Sequence, residues 1–102
     1  MTRKRSRLEI YLDVLKTIRS GTNKPTNIMY KCNLSWLPLK DLLDSLVNQD
    51  LIRIVENENR RTYEITEKGR NVLRYFEKAK DLLVIERRKE AEKDSVTLFQ
   101  RL

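Results

Sequence analysis

Apolar residues recur at spacings of three and four from the start of the chain: Leu8, Tyr11, Leu12, Leu15 and Ile18. That is the period of a helix with one buried face. Ser6 and Glu9 stand at capping-box spacing ahead of this stripe, and Gly21 offers a stop, so a first helix is expected over 7–20. Pro25 suits the first turn of a second helix, because its missing N–H costs nothing there. Ile28, Met29 and Cys32 give that helix a short apolar face, and Asn33 can end it. Ser35 is placed to cap a third helix, buried along Leu39, Leu42, Leu43, Leu46 and Val47 and ending near Asp50. Two short helices with about two residues between them make a helix-turn-helix pattern.

The period then changes. Leu51-Ile52-Arg53-Ile54-Val55 is β-branched and strand-like. The polar run Glu56-Asn57-Glu58-Asn59 follows, in which Asn tolerates the left-handed backbone of a hairpin turn. Residues 61–66 alternate again, with Tyr63 and Ile65 on one face. Helical spacing returns after Thr66-Glu67-Lys68-Gly69, through Val72, Leu73, Phe76, Ala79, Leu82, Leu83 and Ile85. Residues 86–94 are then almost all charged, and 96–102 turn apolar again. The expected fold is α+β and mainly helical: a winged helix-turn-helix of three helices and a two-stranded wing, followed by a long C-terminal helix. It divides into a flexible basic arm (1–6), the winged domain (7–66), a C-terminal helix (67–94) and an apolar tail (95–102).

Composition narrows the function. The chain has 102 residues and a net charge of +7, and such a surface attracts phosphate polyanions or anionic lipid. The excess sits at the two ends, in residues 1–24 and 66–102, while 25–65 is close to neutral. There is no histidine, and the one cysteine, Cys32, is expected to be a buried apolar side chain. Without histidine the commonest neutral-pH general base and metal ligand is missing. One cysteine makes no zinc site, and two glycines make no phosphate-cradling loop. The expectation is a protein that is not an enzyme, with no metal, cofactor or small-molecule substrate. The basic N-terminus precedes no apolar run of signal or membrane length, which points to a cytoplasmic, nucleoid-associated protein.

In a winged helix the third helix lies in the major groove and the wing touches the backbone beside it. Arg3, Lys4, Arg5 and Arg7 would form an arm that crosses the backbone or enters the minor groove. Arg60 and Arg61 would meet phosphates at the wing. Asn27, Lys31, Ser35, Trp36 and Lys40 lie on the central motif. Plainer roles compete: a solvated turn for Arg60 and Arg61, a solubility tail for the arm, a surface lysine for Lys40. Trp36 and Tyr30 either stack at an interface or pack, Trp36 against the second helix. The outward face of the third helix carries Lys40, Asp41, Asp44, Ser45 and Asn48, which is net negative. Arm and wing are therefore expected to supply most of the affinity, and sequence readout to be weak.

The run Thr26-Asn27-Ile28-Met29-Tyr30-Lys31-Cys32-Asn33-Leu34-Ser35-Trp36 resembles a signature of archaeal winged-helix proteins, supported by Arg7-Leu8-Glu9-Ile10, Leu51-Ile52, Tyr63 to Gly69 and Val72-Leu73. Over residues 5–85 the chain is similar to the small basic DNA-binding proteins of Sulfolobus. That resemblance implies an antiparallel coiled-coil homodimer through the last helix, with Val72, Phe76, Ala79, Leu82, Leu83 and Ile85 in the seam. Periodicity alone would equally place Val72, Leu73 and Phe76 on the chain's own core. The tail residues Leu98, Phe99 and Leu102 would dock on the partner or fray.

Double-stranded DNA is thus the expected partner, bound either by a transcription regulator or by a chromatin-like architectural factor. The alternative is a protein-interaction winged helix in a larger assembly, using the acidic helix face and the apolar tail. RNA binding lacks an aromatic-studded sheet or glycine-rich clamp, and membrane-surface binding lacks a long basic amphipathic helix with an aromatic face.

Overall fold

A computed structural model describes the backbone of residues 5–96 and the side chains as far as Leu82. Helix α1 (Arg7–Arg19) opens on the expected capping box: Glu9 N donates to Ser6 Oγ at 3.0 Å, and Ser6 N donates to Glu9 Oε1 at 2.8 Å. It ends at Ser20, and Gly21 follows with a φ of 108°. Helix α2 (Pro25–Cys32) carries its proline in the first turn and ends on Asn33, whose φ of 56° is left-handed. Leu34 N then donates back to Met29 O at 3.1 Å, which satisfies a carbonyl of the last turn.

Helix α3 (Trp36–Asn48) buries Leu39, Leu42, Leu43 and Leu46. Ser35 occupies its N-cap position, but the hydroxyl makes no capping hydrogen bond. The chain reverses after α3 through Asp50, at φ 63°, and Leu51 N closes the turn on Leu46 O at 2.9 Å.

Strands β1 (Ile52–Asn57) and β2 (Arg60–Ile65) form an antiparallel hairpin in which Ile52 faces Ile65 and Asn57 faces Arg60. The ladder runs further than the apolar pattern suggests. Glu56 and Asn57, expected in the turn, are paired across the hairpin, and only Glu58-Asn59 turn. The physical reason is a cross-strand ion pair at the tip: Arg61 Nη2 lies 3.1 Å from Glu56 Oε2. As the alternation implies, β2 turns Tyr63 and Ile65 inward.

Helix α4 (Glu67–Val96) starts at Thr66, a buried polar hub. Thr66 Oγ1 accepts from Gly69 N at 3.0 Å, capping the helix, and donates to Asp50 O at 2.6 Å. One core then joins all elements, from Val14, Leu15 and Ile18 of α1 through Ile28 and Cys32 of α2 and the α3 stripe to Leu51, Ile52, Tyr63, Ile65 and Leu73. Burying each large aliphatic side chain contributes roughly 1.5–3 kcal/mol, so this cluster fixes how α2, α3 and the wing stand relative to one another.

The two aromatic residues of the central motif differ in exposure. Tyr30 is 76% exposed and Trp36 43%. On α2 the inward positions belong to Ile28 and Cys32, which leaves Tyr30 facing solvent. Cys32 itself is buried, with Thr17 Oγ1 at 3.3 Å from its sulfur, and burial pushes the thiol up from its ordinary pKa.

Candidate nucleic-acid interface

The segment between α1 and α2 lies against the wing, with Tyr63 N donating to Asn23 O at 3.0 Å. This contact brings Lys24, at the N-cap of α2, beside Arg60 and Arg61 of β2, and the three line one surface depression with Pro25, Thr26 and Thr62. Free N–H groups at a helix start and three cations make a surface suited to phosphate oxygens. Lys24 is the member that the sequence pattern missed. Nothing local marks it, because only the fold carries residue 24 to residue 60.

The two wing arginines are not equivalent. Arg61 holds Glu56, and the hydrogen bond to that carboxylate raises the Arg61 pKa. Arg60 has no carboxylate within ion-pair distance among the described residues. Arg60 is thus the wing cation available to an incoming anion without first breaking an ion pair.

A second depression continues along α2 from Lys24 past Asn27 and Tyr30 to Lys31, all exposed or partly so. On α3 the outward face holds Trp36, Leu37, Lys40, Asp41, Asp44 and Asn48. Lys40 Nζ sits 3.1 Å from Asp44 Oδ2, one turn further on. The pair neutralises itself and leaves Asp41 as the uncompensated charge of that face. Arg7, at the start of α1, lines a groove with Leu37 and Asp41 and so places a cation at the edge of α3.

Arg5 has a structural task. Its guanidinium meets Asp13 Oδ2 at 3.0 Å and donates to Cys32 O at 2.7 Å, at the C-terminus of α2. A cation there satisfies carbonyls that the helix leaves open and complements its dipole. Arg5 therefore stands apart from the Lys24–Arg60 cluster. Arg3 and Lys4 lie outside the described residues.

Helix α4 also packs on α1. Arg19 and Glu77 join the two helices through a bidentate pair at 2.8 and 3.2 Å. Leu73 is fully buried, and Val72 packs against the chain's own core. Beyond them Phe76 and Ala79 line a groove with Leu8 and Leu12 of α1, and Leu82 is 67% exposed. The side chains of Leu83 and Ile85, and the tail residues Leu98, Phe99 and Leu102, lie outside the described ones.

Among the described residues no cluster of acidic, cysteine or histidine side chains could hold a metal ion, and no helix is long and apolar enough to cross a membrane.

Residues 4–84 match the family model described as winged helix-turn-helix. A Methanocaldococcus jannaschii protein, MJ0287, is 32% identical over 69 residues, which is 68% of this chain and 67% of that protein. The crystal structure of Sso10a-2, a DNA-binding protein from Sulfolobus solfataricus, superposes with a TM-score of 0.71 at 24% identity, covering 96% of this chain and all of that one. Streptococcus pneumoniae FabT, crystallised in complex with DNA, superposes with a TM-score of 0.65 at 17% identity, over 90% of this chain and 71% of that one. The order of elements, the wing and the family match agree: the chain belongs to the winged helix-turn-helix family.

Proposed function

We propose that this chain is a double-stranded DNA-binding protein, a transcription regulator or architectural factor without enzymatic activity, that works on the nucleoid as a homodimer. The observation that carries the reading is the meeting of Lys24 with Arg60 and Arg61 at the N-terminus of α2. In the DNA-bound arrangement typical of the fold, α3 enters the major groove while the wing and the first helix of the motif hold the flanking backbone. Lys24, Arg60, Lys31 and Arg7 are then the phosphate ligands, and Arg3 and Lys4 extend the contact along the duplex. Arg61 and Lys40 contribute less, since each already serves a carboxylate. Sso10a-2 is a DNA-binding protein and FabT was crystallised with DNA, which supports the same reading.

The dimer joins two α4 helices. An apolar face made of Phe76, Ala79 and Leu82, flanked by Leu8 and Leu12, stands open on a single chain. Leu83 and Ile85, expected in the seam from the sequence, belong to the same proposal. Val72 is partly buried against the core of its own chain, at the edge of that face.

Titration of a short duplex against salt tests the proposal. Removing one phosphate-binding cation lowers the slope of log K against log salt by about 0.9. Lys24→Ala with Arg60→Ala should therefore lower it by close to two, while Arg61→Ala changes it little. Absence of duplex binding at low salt would overturn the reading in favour of a protein-interaction module. An unchanged slope in the double variant would remove the cluster from the interface.

A further inference from the structure

We propose that α3 recognises methyl groups in the major groove, with Leu37 packing on the C5-methyl of thymine or 5-methylcytosine. The inference rests on the duplex-binding reading and adds the base chemistry that the helix reads. Leu37 is 70% exposed, and its neighbours Trp36 and Pro38 are exposed as well. Leu37 lies opposite the buried stripe of Leu39, Leu42, Leu43 and Leu46, on the same line as Asp44 and Asn48. It therefore points away from the core, in the first turn of the helix, and it is the N-terminal residues of a recognition helix that reach base edges.

The polar alternatives on this helix are engaged or badly placed. Guanine is read by Arg or Lys and adenine by Asn or Gln. Helix α3 has no arginine, and its one lysine, Lys40, is held by Asp44. Asn48 is the last residue of α3, roughly 16 Å along the axis from Leu37 at 1.5 Å per residue. Asp41 can accept from cytosine N4 but repels the phosphates on either side. What remains at the leading end is an apolar surface. The apolar feature that a base pair presents in the major groove is the pyrimidine C5-methyl. A leucine with freely accessible methyl groups fits it.

The test uses two changes of duplex at one low salt concentration, followed by fluorescence anisotropy. An A·T duplex is compared with the same duplex carrying uracil for thymine, and a G·C duplex with and without 5-methylcytosine. Each methyl removed from beneath Leu37 should weaken binding about fourfold, the factor equivalent to burying one methyl-sized group at about 0.8 kcal/mol. 5-Methylcytosine should strengthen binding by a similar factor. L37A should flatten both differences and leave the salt slope unchanged, since it removes no cation. Because Leu37 is exposed, this variant keeps the core intact.

Equal binding of thymine and uracil duplexes by the unaltered chain overturns the proposal while leaving duplex binding in place. So does discrimination that survives in L37A, which would assign the difference to duplex shape. A change in the association state of L37A with discrimination intact would make this patch a protein contact, and also overturns it. No binding to any duplex overturns the DNA-binding reading itself.

Discussion

Gly69 of α4 lies against the carbonyl oxygen of Leu51 so closely that a methyl group on its Cα would collide with it, and with Ile65 Cγ1 at 2.7 Å. The first turn of α4 can approach the start of the wing only because this side chain is absent. Replacing a helical glycine by alanine ordinarily stabilises by up to about 1 kcal/mol. Here the sign reverses. Gly69→Ala should destabilise by about 2 kcal/mol, within the range for forced overpacking, and lower the melting temperature by about 10 °C for a domain of this size. Chemical denaturation reads the difference, and a stabilised variant would contradict the close approach.

The wing turn carries a residue poorly suited to its backbone. Glu58 has a φ of 52° and is exposed. A left-handed residue other than glycine costs on the order of 1 kcal/mol, and glycine, while relieving that strain, gives part of the gain back through the greater entropy of its unfolded chain. Glu58→Gly should stabilise by about 0.5 kcal/mol, and Glu58→Asn, which tolerates this region, should do so as well. Both also remove a negative charge two residues from Arg60, so duplex affinity should rise slightly. Equilibrium unfolding that shows no gain for either variant would rule out strain at the turn.

The Arg19–Glu77 pair makes the seating of α4 on α1 sensitive to acid. The hydrogen bond from Arg19 holds the Glu77 carboxyl below its ordinary value of 4.5, and the charges of Arg19, Lys16 and Lys80 act in the same direction. A carboxyl with a depressed folded-state pKa contributes its full stabilisation above the unfolded value and loses it as pH falls through the folded one. The stability difference between the unaltered chain and Glu77→Gln should be constant from neutral pH down to about 5, and should close below the unfolded value near 4.3. Added salt should shrink it at every pH, because both partners are accessible to solvent. A difference that persists in strong acid would show that the carboxylate charge is not its source.

The dimer proposal turns on an exposed residue. Leu82 stands in solvent on a single chain, so Leu82→Glu should leave helical content and thermal unfolding of the monomer core intact while placing a charge in the seam. Sedimentation velocity should find the unaltered protein at twice its 12.3 kDa chain mass and the variant at the chain mass. Duplex binding should weaken too, because two-site avidity disappears with the dimer. An unaltered chain that sediments as a monomer at micromolar concentration would refute the dimer.

The elements and their order follow from local patterns along the chain. The stripes of α1 and α3, the Ser6–Glu9 box, Pro25 at the start of α2, Asn33 at its end and the alternation of Tyr63 and Ile65 are local signals, each decided by residues a turn or a strand apart. Helix ends expected from them lie within about two residues of those observed, and the family match over 4–84 agrees with the winged fold they predict. Local signals could not tell which cations are engaged. Arg5 reads as part of a basic arm, yet it closes the end of α2, far along the chain. The Lys40–Asp44 pair, by contrast, is a local contact that i,i+4 spacing on one helix already allows. Lys24 carries no local mark, and the Asn23–Tyr63 hydrogen bond sets it beside Arg60. The placements of Arg5 and Lys24 come from the tertiary structure, for one reason. A helix or strand is selected by the periodicity of its own residues, whereas the partner of a charge or the exposure of a side chain depends on which distant segment the common core brings alongside it.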